Sequence, residues 1–166
     1  MKYVSIGKIV NTHGIKGEIR LLSDFKFLKK VFVKDFPIYI GEIKEKQIIN
    51  SYRPHKQFHM ITLKGYTNIN EVLKYKGKNA YILRSDLNLE NDEFLDEDLI
   101  DLNVIYQDKI IGQVIGFENH SINKIINVKS VQSVYKIPFN FAIIENIDLE
   151  KKCIYIKNIK GLINNE

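Results

Sequence analysis

The chain has almost no cysteine: Cys153 stands alone in 166 residues. One thiol cannot close an internal disulfide, and without a C-x-x-C pair there is no zinc or redox motif, so the sequence fits a reducing compartment and core packing is the expected role of Cys153. Long hydrophobic runs are missing too. No apolar stretch approaches the ~18 residues of a membrane span, and Lys8 with the polar residues after Val10 interrupts what would be a signal-peptide core. A cytoplasmic protein without a membrane partner is expected. Hydrophobic residues still make up 45% of the chain, enough for a packed core in one domain or two small ones.

Several chemistries are missing as well. The glycines fit neither G-x-G-x-x-G nor G-x-x-x-x-G-K-[ST], which argues against a nucleotide cradle. There is no G-x-S-x-G elbow, and the serines show no local pairing with a base that would indicate an activated nucleophile. Of the four histidines, His13, His55, His59 and His120, only His55 and His59 are close, and Ile61 and Leu63 place them on a strand, where their spacing makes no compact ligand pair. The carboxylates between Glu90 and Asp101 include no glycine and no calcium-loop pattern. No catalytic residue, metal or cofactor is expected.

What is present is a polar loop with two glycines near the start, Ser5-Ile6-Gly7-Lys8-Ile9-Val10-Asn11-Thr12-His13-Gly14-Ile15-Lys16-Gly17-Glu18-Ile19-Arg20. Tyr3 to Val10 and Glu18 to Leu22 are rich in Ile, Val and Leu and predict strands on either side. Gly14 and Gly17 supply the backbone freedom for a tight loop or a close approach, with Lys16 exposed at its tip. On pattern alone a plain hairpin connection is the better account of it.

Charge is unevenly divided. Residues 1–85 hold 17 Lys and Arg against 6 Asp and Glu, whereas 86–166 hold 8 against 14, a division of +11 and −6. A cationic part is drawn to polyanions such as RNA and an acidic one to basic proteins, although solvated charges that merely keep the surface soluble would look the same. Beyond the glycine loop, a basic connection (Lys26, Lys29, Lys30, Lys34) leads to short apolar runs at Pro37 to Ile40, Gln47 to Tyr52 and His59 to Leu63, the pattern of a small β-barrel. One helix is predicted, capped by Asn68 with Glu71 three residues on, with Val72, Leu73 and Tyr75 supplying apolar contacts and Gly77 ending it. Asn79 to Leu83 returns as a strand.

Residues 86–101 contain eight carboxylates and no Lys or Arg, and are read as an acidic linker and the start of a second module over 102–166. That module alternates strands and turns: Leu102 to Tyr106, Ile110 to Phe117, Lys124 to Val128, Val131 to Ile137, Ala142 to Ile147 and Ile154 to Ile156, with a loop over Glu118 to Asn123. The fold class is mainly β. Tyr52-Arg53-Pro54-His55-Lys56-Gln57-Phe58-His59 interleaves basic and aromatic side chains, as RNA-binding surfaces do, with Arg53 and Lys56 as candidate phosphate contacts. Tyr52 and Phe58 fit a plainer role, closing two core strands around a turn at Pro54.

These residues together resemble the bacterial ribosome maturation factor RimM family. Gly7-Lys8-Ile9-Val10 with Thr12 to Arg20 is similar to its N-terminal signature; Arg53-Pro54-His55, Leu63-Lys64-Gly65-Tyr66, Arg84-Ser85-Asp86-Leu87, Ile111-Gly112-Gln113-Val114, Ile137-Pro138-Phe139 and Lys160-Gly161-Leu162 follow in order. The resemblance implies a six-stranded N-terminal barrel with one short helix (1–85), then a PRC-type barrel. It also implies a non-enzymatic assembly factor, a chaperone that binds the small-subunit head protein conventionally numbered nineteen and assists folding and processing of rRNA in immature small subunits. A monomer is expected. One site departs from the family pattern of paired tyrosines, Asp-Leu, an apolar residue and glycine: here Phe94-Leu95 is followed by Asp98-Leu99-Ile100-Asp101, which leaves two readings of the implied contact, mainly apolar here or moved elsewhere.

The candidate binding residues are therefore Thr12, His13, Gly14, Ile15, Lys16, Gly17, Glu18, Arg20, Arg53 and Lys56 for RNA or ribosomal protein, and Phe94, Leu95, Asp98 and Leu99 for ribosomal protein. Two alternatives stay open. One is an RNA-modifying enzyme using His13 with Lys16 or Glu18 as acid and base; the other is a regulatory PRC-barrel module with an unrelated partner.

Overall fold

Apolar residues recurring at every second position build the first unit of the computed structural model, which describes residues 1–157 and 159. Six strands, β1 (Tyr3–His13), β2 (Glu18–Leu22), β3 (Pro37–Ile40), β4 (Glu45–His55), β5 (Phe58–Leu63) and β6 (Asn79–Leu83), close a barrel in the order β1-β2-β5-β4-β3-β6. Val4 and Ile6, Ile19 and Leu21, Ile61 and Leu63, and Ala80 and Ile82 point inward and are buried. Register shifts in β1, between Ser5 and Gly7 and between Ile9 and Asn11, let one long strand bend from β6 to β2, as a closed barrel requires.

The structure departs from the sequence reading at both hairpins. β1 does not end at Val10: Asn11, Thr12 and His13 pair with Arg20, Ile19 and Glu18, so the loop proper is only residues 14–17. Nor does the chain turn at Pro54, which sits inside β4 opposite His59; the turn is Lys56-Gln57, with Lys56 at φ 56°. Proline is tolerated there because β4 pairs with β3 only over Glu45 to Ile48, leaving its far half an edge. A helix also appears within the basic connection, α1 (Leu28–Val31). Phe27, Val31 and Phe32 around it are buried, and Phe32 stacks on Tyr52 and His59 at 5.4 and 5.2 Å, filling one region of the barrel interior with aromatic rings.

The one predicted helix is present as α2 (Ile69–Val72), continued by a 3-10 turn over Leu73–Tyr75. Asn68 accepts hydrogen bonds from the Asn70 and Glu71 amides, and Glu71 accepts from the Asn68 amide, the reciprocal cap its spacing predicts. Tyr75 is fully buried; its hydroxyl donates to Glu45 and accepts from Gln47, and burial raises its pKa.

The second unit begins at Leu89, inside the acidic segment. Its strands are β7 (Asn103–Tyr106), β8 (Lys109–His120), β9 (Asn123–Lys129), β10 (Val134–Pro138), β11 (Ile144–Asp148) and β12 (Cys153–Ile156), in the order β10-β9-β8-β7-β12-β11 with β12 parallel to β7. They share one core that includes Leu102, Val104, Val114, Ile126, Val128 and Ile154. β8 runs on to His120, so the expected loop over Glu118 to Asn123 shrinks to Ser121-Ile122. Lys160-Gly161-Leu162 lie outside the described residues. Among the described residues no helix is long and apolar enough to cross a membrane.

Candidate nucleic-acid interface

The glycine loop is held from the side. The Ile69 amide donates to the Ile15 carbonyl at 3.0 Å, joining the loop to the first residue of α2. Gly17, at φ +85°, lies so near Asn68 that a Cβ would come within 2.9 Å of its carbonyl oxygen. Gly17 thus serves a close approach, whereas Gly14, at φ +71°, faces open space and serves only the turn. The tip presents Ile15, 81% exposed, and Lys16, which has no ion pair among the described residues.

Below the tip, the outward residues of four strands converge. β2, β5 and β4 bring Arg20, Met60 and Arg53 into one cross-strand row, while His13 lies opposite Glu18 on β1 and β2. Arg53 donates from Nε and Nη2 to the two oxygens of Glu18, at 2.8 and 2.7 Å, and this holds the Glu18 carboxyl below the usual carboxylate range. Arg20 stacks its cation 4.8 Å from the centre of the Phe58 ring and donates to His13 Nδ1 at 2.9 Å. Its Nε is buried without a partner among the described residues.

An arginine can only donate, so His13 Nδ1 is the acceptor of this contact. The His55 ring lies 6.1 Å from that of His13. Burial, reinforced by Arg53, Lys56 and Arg20, pushes its pKa below the ordinary histidine value. Met60, between two arginines in register, is fully buried.

Of the residues expected here, His13, Glu18, Arg20 and Arg53 form the contacts of this cluster, and Lys56 adjoins it on the turn after His55. Ile15 and Lys16 form the adjacent tip, with Gly14 and Gly17 shaping it. Thr12 is directed the other way, paired with the inward-facing Ile19. His55 and Phe58, which lie in the interleaved basic and aromatic stretch but are not among the candidate binding residues, belong to the cluster too; a strand that turns at Lys56 rather than Pro54 puts both on the outer face.

The pairing of His13 with Glu18 in the enzyme alternative does not form. His13 is engaged by Arg20, and both oxygens of Glu18 are taken by Arg53, which leaves that carboxylate a weak base.

In the second unit the expected apolar contact is smaller than the sequence suggested. Leu95 and Leu99 are buried, Leu99 completely, and Leu99 belongs to the core, so neither is offered to a partner. The carboxylates around them serve turns: Asp98 accepts from the Leu95 amide at 2.8 Å, Glu93 accepts from the Glu90 amide, and Asp96 pairs with Lys124. Phe94 stays half-buried, edge-on to Phe139 at 5.9 Å. Phe141, 96% exposed, is a ring the sequence reading passed over.

This architecture defines a two-module β protein: a closed six-stranded barrel with a cationic outer cluster, followed by a second six-stranded unit. Residues 4–87 match the model of the RimM N-terminal domain and residues 96–162 that of the RimM PRC barrel domain. The chain belongs to the RimM family. It is similar to the Ribosome maturation factor RimM of Exiguobacterium sp., with 34% identity over 100% of this chain and 99% of the other, and to that of Staphylococcus haemolyticus, with 36% identity over 97% and 99%. Among solved structures, a RimM 16S ribosomal RNA processing protein from Pseudomonas aeruginosa is 21% identical with a TM-score of 0.42, covering 96% of this chain and 99% of that one. The N-terminal domain of RimM from Thermus thermophilus is 19% identical with a TM-score of 0.46, covering 54% and 98%.

Proposed function

We propose that this chain acts in ribosome maturation as an assembly factor without a reaction of its own, binding immature small subunits through both modules. The outer cluster and loop tip of the barrel contact rRNA, and the acidic second module receives the basic head protein conventionally numbered nineteen. The observation that carries this reading is the convergence of Arg20, Arg53, Lys56 and the Lys16 tip at one end of adjoining hairpins, in a unit where 17 Lys and Arg meet 7 Asp and Glu. Such a surface attracts a polyanion over distance and holds its backbone by direct donors. On the second unit Phe94, Phe139 and exposed Phe141 supply the apolar contact, within a unit of net −5 that steers a basic partner. Likeness along the full chain to proteins named ribosome maturation factor supports the cellular setting.

Co-sedimentation with immature small subunits at moderate salt tests it. The intact chain binds, and Lys16→Ala with Lys56→Ala binds more weakly. Failure to bind both the precursor particles and the head protein would remove the reading.

A further inference from the structure

We propose that His13 and His55, with Arg20 and Lys56, form a proton-linked site for a phosphate of the RNA backbone, the histidines taking up protons from solvent as the RNA binds. This rests on the reading of the barrel's outer face as an RNA contact and adds how that contact is regulated.

The argument starts from Arg20. Its guanidinium lies against the Phe58 ring and donates to the lone pair of His13 Nδ1. Protonating His13 at Nδ1 turns that acceptor into a donor and sets two cations against each other, so the contact must open. A phosphate oxygen is the group that lets it open at low cost, because it accepts from Arg20 and from the imidazolium together. His55 faces the same choice. Its ring lies 6.1 Å from His13; burial and the surrounding cations lower its pKa, and an anion placed between the rings acts in the opposite direction.

The charged and titratable groups around the pair come from each packed strand: His13 from β1, Glu18 and Arg20 from β2, Arg53 and His55 from β4, and Lys56 from the turn into β5. The one carboxylate, Glu18, is neutralised by the Arg53 fork. Arg20, Lys56 and two protonatable rings are left without a matching anion, which is the composition of a phosphate site and not of a surface for another cation. His59 stands apart, hydrogen-bonded through Nδ1 to the Tyr52 hydroxyl and stacked on Phe32. Linkage makes the consequence measurable: each proton taken up tightens RNA binding by at most about tenfold per pH unit as pH falls, and bound RNA raises the histidine pKa reciprocally.

The probe is a fluorescent oligouridylate, which offers backbone with little base information, titrated by anisotropy on the full chain between about pH 8 and pH 6. Affinity for the intact protein is expected to rise several-fold across that range, and calorimetry in buffers of different ionisation heat to count proton uptake. His13→Gln with His55→Gln keeps polar side chains that cannot protonate, and its affinity is expected to be flat with pH. Binding that is equally flat in the intact protein, or an undiminished pH dependence in the variant, overturns the proton linkage while leaving the RNA contact standing. No binding at any pH removes the RNA contact itself, and the linkage with it. Should the double variant not fold, imidazole resonances of the intact protein followed by NMR decide: the His13 and His55 titrations move to higher pH with the oligouridylate, or they do not and the linkage is refuted.

Discussion

At the scale of single residues, two glycines that look alike in the sequence do different things. Gly14 and Gly17 both have positive φ, but only Gly17 is pressed against the Asn68 backbone. Alanine at Gly14 is expected to cost about 1–2 kcal/mol, the strain of the left-handed conformation. Alanine at Gly17 adds a backbone collision to that strain and is expected to cost distinctly more, a difference that urea unfolding of the two variants reads directly. Lys16 carries no such structural duty. Lys16→Ala should leave the unfolding midpoint in place while lowering the slope of log affinity for RNA against log salt by roughly one unit; an unchanged slope would exclude a phosphate contact.

At the scale of elements, the cap of α2 and the Arg53–Glu18 clasp are the features that order the interface. Asn68→Ala removes a side chain that accepts from two amides and should cost about 1 kcal/mol. Because Ile69 is bonded to Ile15, amide exchange in the glycine loop should quicken as well. The clasp governs acid behaviour. Glu18 has a depressed folded-state pKa, so the unfolded chain binds more protons in the acid range; its contribution is present above the ordinary value of 4.5 and is lost as pH falls through the folded value. Glu18→Gln should therefore flatten the acid limb of stability against pH and, by freeing Arg53, tighten RNA binding at neutral pH. The elements that were legible in the sequence are those whose local signals agree: alternating Ile and Leu in β2, and Asn68 with Glu71 at α2. The others were hidden by identifiable conflicts. α1 lies among lysines that read as a connection, although Phe27, Val31 and Phe32 anchor it. The β4–β5 turn uses Lys56 at positive φ where glycine or asparagine would have announced it, and the nearby proline drew the turn to the wrong place. Leu95 and Leu99 read as exposed because their acidic neighbours were taken for a solvated run, whereas Asp98 caps the turn that buries them.

At the scale of the molecule, the division into units at Asn88 and Leu89 separates charge as well as core. The first unit carries +10 and the second −5. The first has a barrel closed by its own strands and a core drawn from its own residues, so residues 1–88 alone are expected to show β-type circular dichroism and one cooperative unfolding transition. A fragment that stays unfolded would show that its stability is borrowed. Legibility at this scale was high for a physical reason: composition changes sign over a short stretch, and the ordered matches run through both units. The exact join was less visible, since the carboxylates that mark it in sequence are distributed between turns belonging to the second unit.

The grip of α2 on the glycine loop also limits how this chain can change length. A hairpin tip standing free in solvent can absorb extra residues, since loop-closure entropy grows slowly with size. The tip at 14–17 has no such latitude, because one added residue would displace Ile15 from Ile69 and Gly17 from Asn68 together. The turn over Ser130–Ser133 is the contrast: it is closed by its own hydrogen bonds, and Val131 at its crest is fully exposed. A peptide tag is expected to be accommodated there with the fold intact, and to abolish cooperative folding of the barrel when placed between Gly14 and Gly17.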